Sequence, residues 1–247
     1  MKAAPEAQAA LLTLVELDAK TKAAEHRKRT LPEHEKLNQL NGQRRELADE
    51  STKAAARVSD AETAMARLEA DLATARARLA RNQQRLDEGV VNDARSIAST
   101  QDEIAHLTGR IAELEDHQLE QMMAIDDDRN FIAQAAKKRT DIETQMRALI
   151  ASRDESIAAA DAEIAGWAGQ RTQVAGALPA DLAAVFEKVT ARTGSGAAEF
   201  KAGRCTGCGL MLDALARRAA EDSPADEVIR CPECDRVLVR HQSPAAD

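Results

Sequence analysis

Residues 37–86 read "LNQLNGQRRELADESTKAAARVSDAETAMARLEADLATARARLARNQQRL". A heptad frame set on Leu37 and stepped by three and four falls on Leu37, Leu40, Arg44, Leu47, Ser51, Ala54, Val58, Ala61, Met65, Leu68, Leu72, Ala75, Leu79, Asn82 and Leu86. Twelve of these fifteen positions are apolar, and a stripe held over seven heptads signals a coiled coil rather than an ordinary globular helix. Asn82 sits in that stripe, where a buried amide fixes register at some cost in stability. Arg44 sits there too, and its long stem lets the charge reach water.

The stripe ends at "DEGVVND", residues 87–93. Gly89 suits a helix C-cap and Asn92 suits a new N-cap. A second stripe then runs through Ile97, Ile104, Leu107, Ile111, Leu114, Ile125, Ile132, Ile142, Met146 and Leu149, and shifts by one residue to Ile150, Ile157, Ile164 and Trp167. Two long helices joined by a short turn run antiparallel. With the loop centred near Gly89 and Val90, residue i faces roughly residue 179 − i: Leu68 meets Ile111, Leu72 meets Leu107, Leu47 meets Ile132, and Leu14 and Val15 approach Ile164. Pro32 removes a helical hydrogen bond and clashes with the preceding turn, so a break is expected near 30–32, with Thr30 and Glu33 forming a capping box. Gly166, Gly169, Gly176 and Pro179 mark a hinge, after which "ADLAAVFEKVTART" is a short helix ending at Gly194. "GAAEFKAGRC", "EVIRC" and "RVLVR" carry the composition of short strands.

Composition agrees with this layout. Charged residues make up 31% of the chain, and the aromatics are three Phe and one Trp, which suits long exposed helices better than one large core. The net charge is −8, without the basic excess of a nucleic-acid binder. No apolar run reaches membrane-spanning length, and residues 1–20 lack a signal-peptide core. The expectation is a cytoplasmic protein with no membrane contact.

All four cysteines lie in the tail, as "CTGC" at 205–208 and "CPEC" at 231–234. Two Cys-x-x-Cys turns supply four thiolates at the corners of a tetrahedron, the donor set of a structural zinc site. A disulfide pair, a thioredoxin-like redox motif and an iron–sulfur cluster use the same residues. The disulfide conflicts with a cytoplasmic chain. The redox motif needs one pair at a βα junction, and the cluster accepts four thiolates as zinc does. Zinc is the reading adopted: one structural ion held by Cys205, Cys208, Cys231 and Cys234, with no open position for a catalytic water.

Taken together, "GVVNDARSIASTQDEIAHLTGRIAELEDHQLEQM" (89–122), "GAAEFKAGRCTGCGLML" (196–212) and "IRCPECDRVLVR" (229–240) resemble a bacterial family of C4-type zinc-ribbon proteins with an N-terminal coiled-coil hairpin (DUF164-like). The resemblance implies a mainly α protein: a long kinked antiparallel hairpin over 1–175, with its turn near 87–92, then a small domain over 176–247 combining a short helix and a zinc ribbon. It also implies links to alternative sigma factors, flagellar regulation and RNA binding. The chain departs from the family pattern where Phe186 and Val239 stand near usual tyrosines, and where Asp93-Ala94-Arg95 replaces a usual lysine after the turn.

No phosphate loop, nucleophile elbow or paired-carboxylate site is present in the sequence, so no catalytic residue, small-molecule substrate or organic cofactor is expected. Basic groups are the candidate partner contacts: Arg78, Arg81, Arg85 and Arg95 near the hairpin tip, and Lys201, Arg204, Arg217, Arg218, Arg230, Arg236 and Arg240 around the ribbon. "HRKR" at 26–29, facing 150–153, and "KKR" at 137–139 read as charged coiled-coil flanks. Asp126–Asp128 reads as a solvated run near Lys53. His26, His34, His106, His117 and His241 lack ligand spacing, Trp167 reads as a packing anchor, and Phe200 is expected beneath the cysteines. The leading function is a non-enzymatic adaptor that binds a protein, with a transcription component implied by the resemblance. The alternatives are RNA or DNA binding through the ribbon, and a purely structural spacer.

Overall fold

A computed structural model describes residues 1–240; His241 lies outside them. Five helices, α1 (Pro5–Arg29), α2 (Pro32–Asp87), α3 (Ala94–Gly176), α4 (Ala180–Thr193) and α5 (Ala214–Asp222), are joined by four short strands, β1 (Ala197–Lys201), β2 (Arg204–Cys205), β3 (Ile229–Arg230) and β4 (Val237–Arg240). By internal contacts the chain divides into Glu35–Ile150 and a second unit made of Met1–His34 with the chain from Ala151 onward.

Within Glu35–Ile150, α2 and α3 form the antiparallel hairpin. Every one of the fifteen stripe positions from Leu37 to Leu86 is buried or half-buried, as are Leu107, Leu114, Ile125 and Ile142 across from them. Gly89 takes the left-handed conformation, φ 64°, and stops α2 as expected. The cap of α3 is Asp93, not Asn92: its carboxylate accepts from the Ser96 N–H at 2.8 Å. Hydrogen bonding by the Ser96 side chain, and then by its backbone N–H, holds Asp93 below the usual carboxylate range.

The register differs from 179 − i. Arg57 pairs with Asp128 where that rule places Met122, Glu62 with Arg129 (2.7 Å) where it places His117, and Arg76 with Glu115 (2.5 Å) where it places Glu103. Glu103 is instead the partner of Arg78. Sliding antiparallel helices by about one or two heptads again lays apolar rows on apolar rows, so periodicity fixed the faces and left the register open. Lys53 pairs with Glu50 at 2.7 Å rather than with the acidic run. Arg44, half-buried, donates to Asn41 within its own helix at 3.2 Å.

Asn82 is buried and its Nδ2 finds no partner among the described residues. An unsatisfied buried amide costs about 1–3 kcal/mol. Asn82→Leu should therefore stabilise the hairpin by about that amount in chemical denaturation; a loss of stability would show that the amide is satisfied in solution.

The break falls between Arg29 and Pro32, but the capping box does not form. Thr30 Oγ1 donates back to the His26 carbonyl at 3.0 Å, closing α1, and Glu33 accepts from Ser152 at 3.3 Å. His34 Nε2 sits 3.1 Å from the Lys28 carbonyl. Arg27 reaches Glu163 at 2.5 Å, Lys28 reaches Asp161, and Arg171 reaches Asp18 at 2.6 Å, so "HRKR" faces 161–163 rather than 150–153. The helix α3 runs unbroken through Gly166 and Gly169 to Gly176. Helix propensity tolerates isolated glycines at a cost of about 1 kcal/mol each, and only the following turn ends it.

The tail forms one sheet of order β2-β1-β4-β3, with β1 and β4 parallel and the other pairs antiparallel. Side chains alternate across the pleat. Ala197, Val237 and Val239 face Leu182 and Phe186 of α4 and Leu11 and Leu14 of α1. Ala198 and Leu238 face the cysteines on the opposite side. Because β4 is covered on both faces, "VLV" is apolar throughout. Leu14 thus packs in the cluster with α4 and the sheet, and Ile164, its expected neighbour, is not part of that cluster.

Candidate metal centre

Each Cys-x-x-Cys forms a tight turn closed by one backbone hydrogen bond: the Gly209 N–H donates to the Cys205 carbonyl, and the Asp235 N–H donates to the Cys231 carbonyl, both at 2.8 Å. The residue after the second cysteine is left-handed in both turns, φ 74° at Gly209 and φ 65° at Asp235. The glycine meets this demand without a steric penalty. Asp235 accepts it while its carboxylate pairs with Arg192 and Arg230. Gly207 is needed for a different reason: a Cβ there would lie 2.7 Å from Arg236 Cδ and 2.9 Å from Ala198 Cβ. The first turn is also tied to β1, because the Thr206 N–H donates to the Glu199 carbonyl at 3.0 Å while Thr206 Oγ1 accepts from the Glu199 N–H at 3.0 Å.

These turns bring the four sulfurs within 4.8 Å of one another. Cys205 Sγ lies 3.8 Å from Cys234 Sγ, and Cys208 Sγ lies 3.9 Å from Cys231 Sγ. Disulfide bonds measure about 2.05 Å, and all four thiols are free. A tetrahedral ion with metal–sulfur bonds of about 2.3 Å has sulfur–sulfur edges of about 3.8 Å, so the residues fit one metal ion. Burial pushes the Cys205 thiol up to about 12 and raises Cys231 as well. Burial opposes ionisation at Cys234 too, but hydrogen bonds from the Arg236 backbone and side chain, with those of Cys231 and Cys205, outweigh it and hold that thiol at about 7. Metal uptake near neutral pH must therefore displace protons, since only thiolates bind. Phe200, Leu238 and Leu212 pack around the sulfurs; Cys205 and Cys231 are buried, and Cys208 and Cys234 are half-buried.

Gly209→Ala should cost about 1–2 kcal/mol through its left-handed backbone. Because metal binding and folding are coupled, chelator competition should read this as roughly a tenfold weaker site. An unchanged affinity would mean that the first turn is not formed around the metal.

The basic candidates have different surroundings. Arg236 donates to the Ser195 and Thr193 carbonyls at 3.2 and 2.9 Å. Arg240 donates to the carbonyls of Ala220, Ser223, Pro224, Ala225 and Glu227, at 2.7 to 3.4 Å, and so closes the chain after α5. Both guanidinium groups are thereby engaged by backbone carbonyls. Arg230 is paired with Asp235, Arg204 donates to the Gly209 carbonyl at 3.3 Å, and Arg217 lies 3.9 Å from Glu221. Lys201 and Arg218 are exposed, as are Arg81, Arg85 and Arg95 near the hairpin turn. The turn places the last three in one region, which also holds Asp87, Glu88 and Asp93. Sequence reading missed α5, whose N-cap Asp213 accepts from the Ala216 N–H at 2.7 Å; the "DALA" start was the available signal. Among the described residues no helix is long and apolar enough to cross a membrane.

Known proteins share this architecture. The Mycobacterium tuberculosis proteins MT2288 (strain CDC 1551) and Rv2229c (strain H37Rv) are each 29% identical over 246 residues, covering 97% of this chain and 98% of theirs. A solved structure from Mycobacterium smegmatis superposes with a TM-score of 0.81 at 27% identity, over 98% of this chain and all of that one. CT398 from Chlamydia trachomatis shares the fold with a TM-score of 0.71 at 15% identity, over 96% of this chain and 98% of its own. The family profile described as the CT398-like coiled coil hairpin domain matches residues 14–194, and the chain belongs to that family.

Proposed function

We propose that the tail is a C4 zinc ribbon, with one structural Zn2+ held by Cys205, Cys208, Cys231 and Cys234, and that the chain acts as a non-enzymatic adaptor binding a protein partner. The sulfur geometry carries the metal half of this reading. All four sulfurs lie within 4.8 Å of one another, which matches a mononuclear tetrahedral site, whereas a multi-iron cluster interposes its own sulfides and spreads thiolates on different irons wider. With all four corners supplied by protein, the ion shapes the fold: it completes the small cluster of Ala198, Leu212 and Leu238 on the face of the sheet opposite the Phe186 core.

Support for the adaptor half comes from how the ionisable groups are used. Arg57, Arg76 and Arg129 are engaged in cross-helix pairs, Asp93 and Asp213 in caps, and Arg236 and Arg240 in carbonyl clamps that withdraw them from a phosphate-binding role. This favours a protein partner over direct nucleic-acid binding. The resemblance to sigma-factor-linked proteins supplies the bait: zinc-loaded chain titrated by calorimetry against RNA polymerase and its sigma factors should bind one of them specifically. Binding to RNA or DNA alone, falling steeply with salt, would replace this reading with the nucleic-acid one.

A further inference from the structure

The two edges of the tail sheet are treated differently. Beyond β3, the edge is covered by the chain's own first residues. Lys2 bridges Glu227, the Ala3 N–H donates to the Asp226 carbonyl at 2.8 Å, and the Val228 N–H donates to the Met1 carbonyl at 3.0 Å. Beyond β2, the outermost segment is Leu210–Leu212. The Cys205 N–H donates to the Leu210 carbonyl at 3.1 Å, the Leu212 N–H donates to the Gly203 carbonyl at 2.9 Å, and Met211 bridges Arg204 between them. In an antiparallel ladder, a residue flanked by such bonds directs its own N–H and C=O away from its partner strand. Met211 therefore presents both groups outward, and neither is bonded within the described residues.

Exposed apolar edges are normally shortened, charged or covered, because they recruit other strands. This edge carries Leu210 at 51% exposure and Met211 at 56%, and Leu215 follows three residues further on at 81%, the most exposed large hydrophobic side chain among the described residues. Cations flank it: Arg204 bridges Met211, Lys201 pairs with Arg204 in the next strand, and Arg218 lies three residues after Leu215, while Arg217 is set against Glu221 at 3.9 Å. Self-pairing would set these cations against their own copies. An acidic strand would neutralise them.

We infer that the Leu210–Leu212 edge is a strand-addition site, which takes an extended segment of a protein partner whose side chains alternate apolar with Asp or Glu. Main-chain bonds to Met211 supply part of the affinity and the apolar contacts supply selectivity. This rests on the adaptor reading and specifies its contact surface.

The test uses zinc-loaded full-length chain and a displayed library of random linear dodecapeptides. Enriched peptides should alternate apolar and acidic residues. The best synthetic peptide should lose at least about tenfold in affinity when its central amide is N-methylated, as expected for removing a main-chain donor and its shape fit. Met211→Pro should cause a similar loss while one zinc is retained, and Lys201→Glu with Arg218→Glu should weaken binding further at low salt than at high salt. The N-methyl peptide keeps the test valid if the proline variant fails to fold. No enrichment, enrichment of basic peptides, equal affinity for the N-methylated peptide, or a concentration-dependent dimer that Met211→Pro abolishes would each overturn the inference. So would displacement of the peptide by single-stranded RNA that binds Met211→Pro undiminished. A sigma factor that binds Met211→Pro as tightly as the parent chain would sink the edge assignment and leave the adaptor reading standing. Failure of every bait alongside peptide binding at the edge would do the reverse.

Discussion

Cys205→Ser is expected to abolish metal binding and to unfold the tail while leaving the hairpin of residues 35–150 intact. Cys205 is fully buried, and its sulfur lies on one of the two short edges of the donor set. A hydroxyl in its place is a poor donor to zinc and leaves an unsatisfied polar group among Ala198, Leu212 and Leu238. Structural zinc contributes an apparent 10–16 kcal/mol in small domains, on the order of the whole stability of a domain. Loss of one ligand in four therefore removes enough to release residues 197–240. Most of the helix lies outside the tail, so circular dichroism would change little. Hydrogen exchange resolves the question, because amides of β1, β4 and the two turns should lose protection while those of α2 keep it. A variant that retains one zinc and a protected β4 would contradict the ligand assignment.

Phe186→Ala should be the most damaging apolar substitution, costing about 3–5 kcal/mol. Phe186 is fully buried and belongs to the cluster that joins α4 to Leu11 and Leu14 of α1 and to Ala197, Val237 and Val239 of the sheet. Truncation removes the largest side chain of that cluster and leaves a cavity that helix and sheet backbones cannot close. Trp167, the single tryptophan, lies in the same compact unit, so its fluorescence during chemical denaturation reports the loss. A shift below about 1 kcal/mol, typical of surface changes, would show that this cluster does not hold the unit together.

Much of this architecture was legible in the sequence because it rests on periodic or paired signals. The heptads of 37–86 gave the buried face position by position, Pro32 gave the break, and Gly194 gave the end of α4, where φ is 80°. The two Cys-x-x-Cys motifs gave the four cysteines whose sulfurs lie within 4.8 Å of one another. Register was not legible, because a heptad repeat looks the same after sliding by seven. Nor was the role of α1: Leu14 and Val15 read as approaching Ile164 in the coiled coil, yet Leu14, with Leu11, packs against α4 and the sheet, a long-range contact that no local pattern encodes. Arg236 and Arg240 looked like surface charge because a basic residue carries the same letter whether it meets solvent or five carbonyls. The left-handed pair Ala202 and Gly203, φ 49° and 72°, turns β1 into β2 as a two-residue hairpin requires; "AG" is too weak a turn signal to have placed it.

The most direct measurement is metal content with thiol titration on purified full-length chain. One zinc per chain, with four thiols that become reactive only after chelation and an accompanying loss of protection in β1 and β4, is the result this account predicts. A chain free of metal whose tail keeps its protection, or one that carries iron in place of zinc, would contradict it.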